Sequence, residues 1–247
     1  MCLILLHWQP RAERRLIVAA NRDEFLQRPT DAAHFWKDQP HILAGRDREF
    51  GGSWLGVSLN GRFAAVTNLR DTDDVGELSR GNLVQDFLNS HMGAAEFVEN
   101  LEENKGDYRP FNLIVSDLNQ LAYSNNAEPG WRQLDEGIHV LGNIRLSNSN
   151  PKVRKGAADF SESLADPADH EGLFDLLRDS EPALDSKEPL ERALSCRFVN
   201  APSYGTRSSS VLLWNRDGSG DFWEREYSAQ FDVVTTRHFA LPPSSPP

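Results

Sequence analysis

Cys2 is the residue with the most chemistry to offer. Aminopeptidases generally remove an initiator Met that precedes a small residue, and the chain then begins with a cysteine carrying both a thiol and a free α-amino group. An α-amine has an ordinary pKa of about 7.7 to 8.0 and a thiol one of about 8.5, so the amine can take the thiol proton near neutral pH. Nucleophile and base then sit on one residue, and no histidine is required. The other reading is structural, since free cysteine is among the most buried residue types.

The residues that could serve such a nucleophile must be brought to it by strands. Residues 2–8 form a continuous apolar run and 16–20 a second one, separated by polar residues 10–14, which predicts a hairpin. Asn21-Arg22-Asp23-Glu24 comes after the second run and so can lie beside Cys2. A carboxylate there holds an α-ammonium and an arginine lowers a thiol pKa, which makes Asp23 and Arg22 the candidates. A surface ion pair in a strand-end turn is the alternative for the same tetrad.

Further along, runs at 53–59 and 62–69 flank Asn60-Gly61, the strongest short hairpin signal, with both turn residues expected at positive φ. From Ser79, a candidate N-cap, the spacing becomes helical. Leu83 with Phe87 and Val84 with Leu88 fall on one face, and Gly93 breaks the run before Phe97, Val98 and Leu101. A second hairpin is predicted at 111–117 and 120–124 around Leu118-Asn119, with a short strand at 138–141. Helices are predicted at 153–164, 171–177 and 190–198, then strands at 208–214, 222–227 and 231–235. Strands and helices in alternating blocks do not fit a doubly wound sheet and do fit antiparallel sheets covered by helices, an α+β fold.

The 247 residues allow one large domain or two small ones, and without an internal repeat or linker a single domain over 1–241 is expected. The Pro/Ser tail, 242–247, is expected to be disordered. The 26 Lys and Arg against 37 Asp and Glu give a net charge of −11, which repels phosphate backbones and anionic lipid surfaces. Nucleic acid is therefore not an expected partner. No apolar run approaches the roughly 18 residues of a membrane span, and the start lacks the basic region of a signal peptide, so a cytoplasmic protein is expected. Two cysteines and no glycosylation sequon argue against a secreted disulfide framework.

Several motifs in order carry a family resemblance. Met1-Cys2-Leu3-Ile4, Asn21-Arg22-Asp23-Glu24-Phe25, Ala44-Gly45-Arg46-Asp47, Gly51-Gly52-Ser53-Trp54-Leu55-Gly56, Gly61 to Asn68, Ser79-Arg80-Gly81 and Tyr204-Gly205-Thr206-Arg207-Ser208-Ser209 resemble the NRDE family, also called the transport-and-Golgi-organisation family. That family in turn is similar to N-terminal nucleophile hydrolases of the penicillin acylase and bile-salt hydrolase branch. The resemblance implies a four-layer αββα sandwich and a cysteine amidase acting on a linear amide or related acyl bond. In that picture Cys2 attacks a carbonyl, Asp23 binds its amine, and Asn68 donates a side-chain N–H to the oxyanion. Asn143 resembles a second asparagine of such sites, and Arg207 is placed to approach the thiolate or a substrate carboxylate.

Asn21, Arg22, Trp54 and Arg80 are the candidates on the substrate side, and Arg80 with Arg207 would suit an anionic substrate. The chain departs from the bile-salt hydrolases, which carry an arginine three positions before the aspartate, where Ala20 stands here. It also reads Asn148-Ser149-Asn150-Pro151-Lys152 where many relatives have Pro-Trp-Pro-Lys. The rival function is a non-catalytic carrier of haem or lipid in the same pocket, although C-x-x-C-H, the motif of covalent haem attachment, is absent.

Other signals lead elsewhere. Asn215, Asp217, Ser219, Gly220 and Glu226 are spaced like a calcium loop, but their flanks read as strands, which favours a hairpin turn. The seven histidines, His34 and His41 among them, form no H-E-x-x-H pair, so no metal is expected. No Walker loop, G-x-G-x-x-G or G-x-S-x-G occurs, and no cofactor is expected. The expected partner is a small molecule, and the oligomeric state is not encoded in any motif.

Overall fold

A computed structural model describes residues 2–70, 76–146, 150–164 and 169–243. The chain opens with the expected hairpin, β1 (Leu3–Trp8) and β2 (Arg14–Phe25), and continues with β3 (Thr30–Phe35), β4 (Ile42–Asp47), β5 (Leu55–Ser58) and β6 (Arg62–Asn68). Helices α1 (Gly81–Asn89) and α2 (Ala94–Leu101) precede β7 (Phe111–Ser116), β8 (Leu121–Asn125), β9 (Trp131–Gln133) and β10 (Gly137–Leu141). Helices α3 (Pro151–Ser163), α4 (His170–Leu177) and α5 (Pro189–Ser195) then lead to β11 (Asn200–Ala201), β12 (Tyr204–Asn215), β13 (Gly220–Tyr227) and β14 (Val233–Leu241).

The strands form two antiparallel sheets. One has the order β10-β1-β2-β12-β13-β14, with β11 added to β12, and the other runs β3 to β9 in chain order. Three apolar layers explain the stacking. Ile4, Leu6, Trp8, Val18 and Ala20 of the first sheet meet Leu43, Val57, Phe63, Ala65 and Ile114 of the second. On the outer face of the first sheet Leu3, Leu5, Ile17 and Val211 pack against Val153, Phe160, Phe174 and Leu177 of α3 and α4. On the outer face of the second, Ala44, Ala64, Leu113 and Val115 pack against Leu83, Val84, Phe87 and Val98 of α1 and α2. The order is helix, sheet, sheet, helix: the αββα sandwich that the resemblance implies. Strands such as β1 are apolar without alternation because both of their faces are buried.

Several local expectations need correction. Asn21 to Glu24 are not a turn after the strand but part of β2, which extends through Phe25. Asn60-Gly61 is a three-residue loop from Leu59 to Gly61, because Ser58 pairs with Arg62 and only Gly61 takes positive φ, +74°; this is a type I turn closed by a left-handed glycine. The N-cap of α1 is Arg80, with no side-chain cap, while the Ser79 carbonyl accepts the Asn82 N–H at 3.1 Å. Helix α5 ends at Ser195, where Cys196 turns extended. The last strand starts at Val233 and runs to Leu241. The turn at 215–220 joins two strands, as expected, with the Asn215 N–H donated to the Ser219 carbonyl at 2.8 Å. Strands β3, β4, β9 and β11 had no sequence prediction. Of the tail expected to be disordered, residues 244–247 lie outside the described residues, as do Ser147 to Ser149.

Candidate active site

Strand pairing carries Cys2 to the site. Leu3 lies opposite Asn21, so the residue before it reaches Arg22 and Asp23. Alternation along β1 puts Leu3 on the helix side and Ile4 on the inter-sheet side, and Cys2 therefore faces the space between the sheets. Its Sγ–H donates to the Asp23 carbonyl at 3.5 Å. Burial pushes the Cys2 thiol up, against the pull of the positive chain terminus, and the Asp23 carboxylate adds to the rise while Arg22 opposes it. The thiol is thus held protonated at neutral pH and needs a base to become a nucleophile.

Asp23 is buried and fully engaged. One carboxylate oxygen accepts the Thr206 hydroxyl at 2.7 Å and the other faces the Lys152 ammonium at 3.4 Å. Its carbonyl also accepts the Tyr204 hydroxyl at 2.9 Å. Burial, reinforced by the Cys2 and Asp23 charges, pushes the Tyr204 phenol well above its ordinary range, so it acts as a neutral donor. Lys152 reaches Asp23 because of the Asn150-Pro151-Lys152 segment. Asn150 caps α3 by accepting the Lys152 N–H at 2.8 Å, and Pro151 stands first in the helix, where its missing N–H costs nothing. The Asn150 cap and Pro151 thus set the start of α3 so that Lys152 delivers a buried cation to Asp23.

Asn68 ends β6 at the cleft that contains Cys2, and among the described residues its side-chain amide has no hydrogen-bond partner. It is free to donate to an oxyanion. Asn143 lines the same cleft but commits its Nδ2 to the Asn68 carbonyl at 2.9 Å, while its own Oδ1 is buried without a partner. The expected second donor is therefore a brace for the first in this arrangement. Thr67, whose hydroxyl donates to the Gly142 carbonyl at 2.6 Å, holds the same junction.

The cleft encloses about 170 Å³ and is charged rather than apolar. Arg22, Arg28, Arg46, Arg70, Arg80 and Arg109 line it, with Asp23, Glu24 and Asp47 as the acidic groups. Trp54 forms part of the wall, shared through Arg22, Thr30 and Gly45 with a smaller adjoining pocket. Two sequence expectations fall away here. Arg207 is not in the Cys2 cleft; it lines the smaller pocket and donates to the carbonyls of Phe25 and Arg28, each at 3.1 Å. Asn21 is completely buried on the helix side, donating to the Leu177 and Arg197 carbonyls at 2.8 and 2.9 Å and accepting the Ser209 hydroxyl at 2.6 Å. It ties β2 to the helical layer and touches no ligand space.

The sequence by itself did not single out Lys152, Thr206, Tyr204, Arg70 or Arg109. Thr206 and Tyr204 lie within the Tyr204 to Ser209 motif, and Lys152 closes the Asn150-Pro151-Lys152 segment that starts a helix, so a signal existed for those three. Nothing in the sequence marked Arg70 or Arg109. Among the described residues no three His, Cys, Asp or Glu side chains converge as metal ligands, and no helix is long and apolar enough to cross a membrane.

Known proteins match this arrangement at two levels. The sequence profile described as Transport and Golgi organisation 2 matches residues 1–229. The Transport and Golgi organization protein 2 homolog of Homo sapiens is 33% identical over 255 residues, covering 91% of this chain and 92% of the human one. Transport and Golgi organization protein 2 of Drosophila melanogaster is 26% identical and covers 85% of each chain. Among solved structures, a C2A mutant of conjugated bile acid hydrolase from Clostridium perfringens superposes with a TM-score of 0.55 at 9% identity, covering 98% of this chain and 92% of that one. Penicillin V acylase from Agrobacterium tumefaciens gives 0.50 at 15% identity, covering 97% and 85%. At such identities the likeness is one of fold, the N-terminal nucleophile hydrolase sandwich.

Proposed function

The chain belongs to the Transport and Golgi organisation 2 family, and from that premise we propose that it is a cysteine N-terminal nucleophile hydrolase, cleaving a linear amide or related acyl bond of a small molecule through Cys2. The observation that carries this reading is the Cys2 thiol in an open cleft, hydrogen-bonded to Asp23, with the free amide of Asn68 on the same wall. The names of the family relatives speak of Golgi organisation and supply no reaction. The fold neighbours are an acylase and a hydrolase by name, which agrees with acyl transfer.

The groups present suffice for each step. After loss of Met1 the Cys2 α-amine takes the thiol proton, and the sulfur adds to the substrate carbonyl. The carbonyl oxygen gains the negative charge, and the Asn68 amide donates to it; a preorganised donor of this kind is worth about 10²- to 10³-fold in rate. The intermediate collapses as the C–N bond breaks, with the α-ammonium returning its proton to the departing amine. Water then adds to the thioester, the amine again acting as base, and releases the acid and free Cys2. Asp23 holds the ammonium form in place, braced by Thr206 and Lys152. The expected setting is the cytoplasm, where both thiols remain reduced.

The test is the intact mass of the purified protein before and after a thiol-reactive amide or β-lactone probe, with peptide mapping of the adduct. Loss of Met1 with labelling of Cys2 faster than Cys196 is expected, and Cys2→Ala is expected to abolish it while leaving the fold. Retained Met1, or no preference for Cys2, overturns the reading. A carrier of haem or lipid would instead bind its ligand whether or not Cys2 is free.

A further inference from the structure

Among the described residues the cleft lining holds more arginines than carboxylates. Arg22 faces Glu24 at 3.8 Å, Arg28 grips Asp47 at 2.7 Å, and Arg46 grips Asp38 at 2.7 Å. Asp23 is taken by Lys152 and Thr206. The cleft carboxylates are thereby matched, and Arg70, Arg80 and Arg109 remain without a carboxylate partner among the described residues while lining the same space as Cys2. This happens in a chain whose net charge is −11.

Arg80 is the centre of the imbalance. Its side chain donates one long hydrogen bond, 3.4 Å to the Pro110 carbonyl. Burial works against its charge, the Cys2 and Glu24 charges support it, and Arg109 and Arg28 repel it. Arg109 rests on the Phe50 ring, 4.8 Å from its centre. A guanidinium withdrawn from water among like charges is costly unless an anion completes the site. Helix α1 begins at the same place, with Arg80 as N-cap, no side-chain cap and no acidic residue in its first turn. Its positive end adds to the field rather than cancelling it.

We infer that the cleft binds an oxyanion of its ligand, a carboxylate or a phosphate, between Arg80, Arg70 and Arg109, beside Cys2. Both anions present the paired oxygens that a guanidinium fork grips. Only one consequence rests on the hydrolase reading, that an acyl carbon of the same ligand is delivered to the Cys2 sulfur; the anion subsite stands on the charge balance itself.

Titration calorimetry of the full chain with inorganic phosphate and, separately, with succinate tests it. Saturable binding of at least one is expected, weakened about tenfold by Arg80→Gln and about threefold by Arg70→Gln or Arg109→Gln. Arg11→Gln, at the opposite end of the β1–β2 hairpin, leaves it unchanged. The bound anion also slows alkylation of Cys2 by iodoacetamide, and the anion concentration giving half protection rises about threefold in the exposed Arg109→Gln variant, a readout that stands even if Arg80→Gln fails to fold. Tighter phosphate assigns a phosphorylated ligand, and tighter succinate a carboxylate. Binding of neither, or binding indifferent to all three exchanges, overturns the inference. Cys2 labelling without anion binding removes the subsite and keeps the hydrolase reading; anion binding without Cys2 labelling does the reverse.

Discussion

Lys152 stands against the preference of its own helix. A cation in the first turn of α3 meets the positive end of the helix dipole, and the Asp23 carboxylate at 3.4 Å compensates for it. In the proposed mechanism two cations converge on Asp23, the Cys2 α-ammonium and Lys152. The fixed one disfavours the other, which keeps the amine available as a base. Lys152→Met is expected to shift the acid limb of the Cys2 labelling profile up by about one pH unit, whereas Lys152→Arg restores it; an unmoved limb would show that Lys152 serves packing alone. Asn68 yields a separate expectation, because its amide is uncommitted while that of Asn143 is bonded to the Asn68 backbone. Asn68→Ala should slow acylation of Cys2 by about 10²- to 10³-fold at unchanged melting temperature. Asn143→Ala should lower both rate and melting temperature, and the converse pattern would exchange their roles.

At the scale of elements, the loop between β4 and β5 sets where α1 begins. A Cβ on Gly52 would lie 2.5 Å from the Gly81 carbonyl carbon and 2.6 Å from its oxygen, both backbone atoms that no rotamer change can move. The Ser53 N–H donates to that same carbonyl at 3.2 Å. This contact brings Ser79, Arg80 and Gly81 to the cleft wall, which gives the Gly-Gly-Ser-Trp motif a physical reason. Gly52→Ala is expected to cost about 1–3 kcal/mol in urea unfolding and to slow Cys2 labelling. Gly106→Ala, whose new Cβ meets nothing within 4 Å, serves as the control. Strand β2 was legible only in part. Its apolar start marked a strand, but the charged residues of Asn21 to Glu24 mimic a turn, although Asn21, Arg22 and Asp23 are buried by the site they build.

Across the whole molecule, Glu224 links the two sheets. It lies on β13 of the first sheet, and its Oε1 accepts the Ala33 N–H of β3, in the second, at 2.5 Å. Burial pushes its carboxyl up from 4.5 to about 7, with the Ala33 N–H opposing and Glu226 adding to the rise. Between these two values the folded protein holds a proton that the unfolded chain has released, so stability falls as pH rises through the window. Glu224→Gln keeps an acceptor for Ala33 and removes the ionisation. It should therefore stabilise the protein by about 3 kcal/mol at pH 8 and leave it unchanged near pH 4.5. Equal melting temperatures at pH 8 would refute the raised Glu224 carboxyl.

Much of this protein was determined by its sequence alone. The apolar runs fixed the opening hairpin and most of the later strands, the four-residue spacing fixed α1, and the ordered motifs carried the family and its αββα sandwich. Cys2, Asp23 and Asn68 were legible as candidates because each stands in or beside a short motif on a recognisable strand. Which cations complete the site was decided only in three dimensions. Lys152 meets Asp23 from 129 residues away, and Arg70, Arg80 and Arg109 come from separate segments that share a wall once the sheets stack. The same packing sent Arg207 to a neighbouring pocket and turned Asn21 towards the helices. Spacing along a chain encodes which residues share a face; which faces close on one another is set by burial of the layers between them.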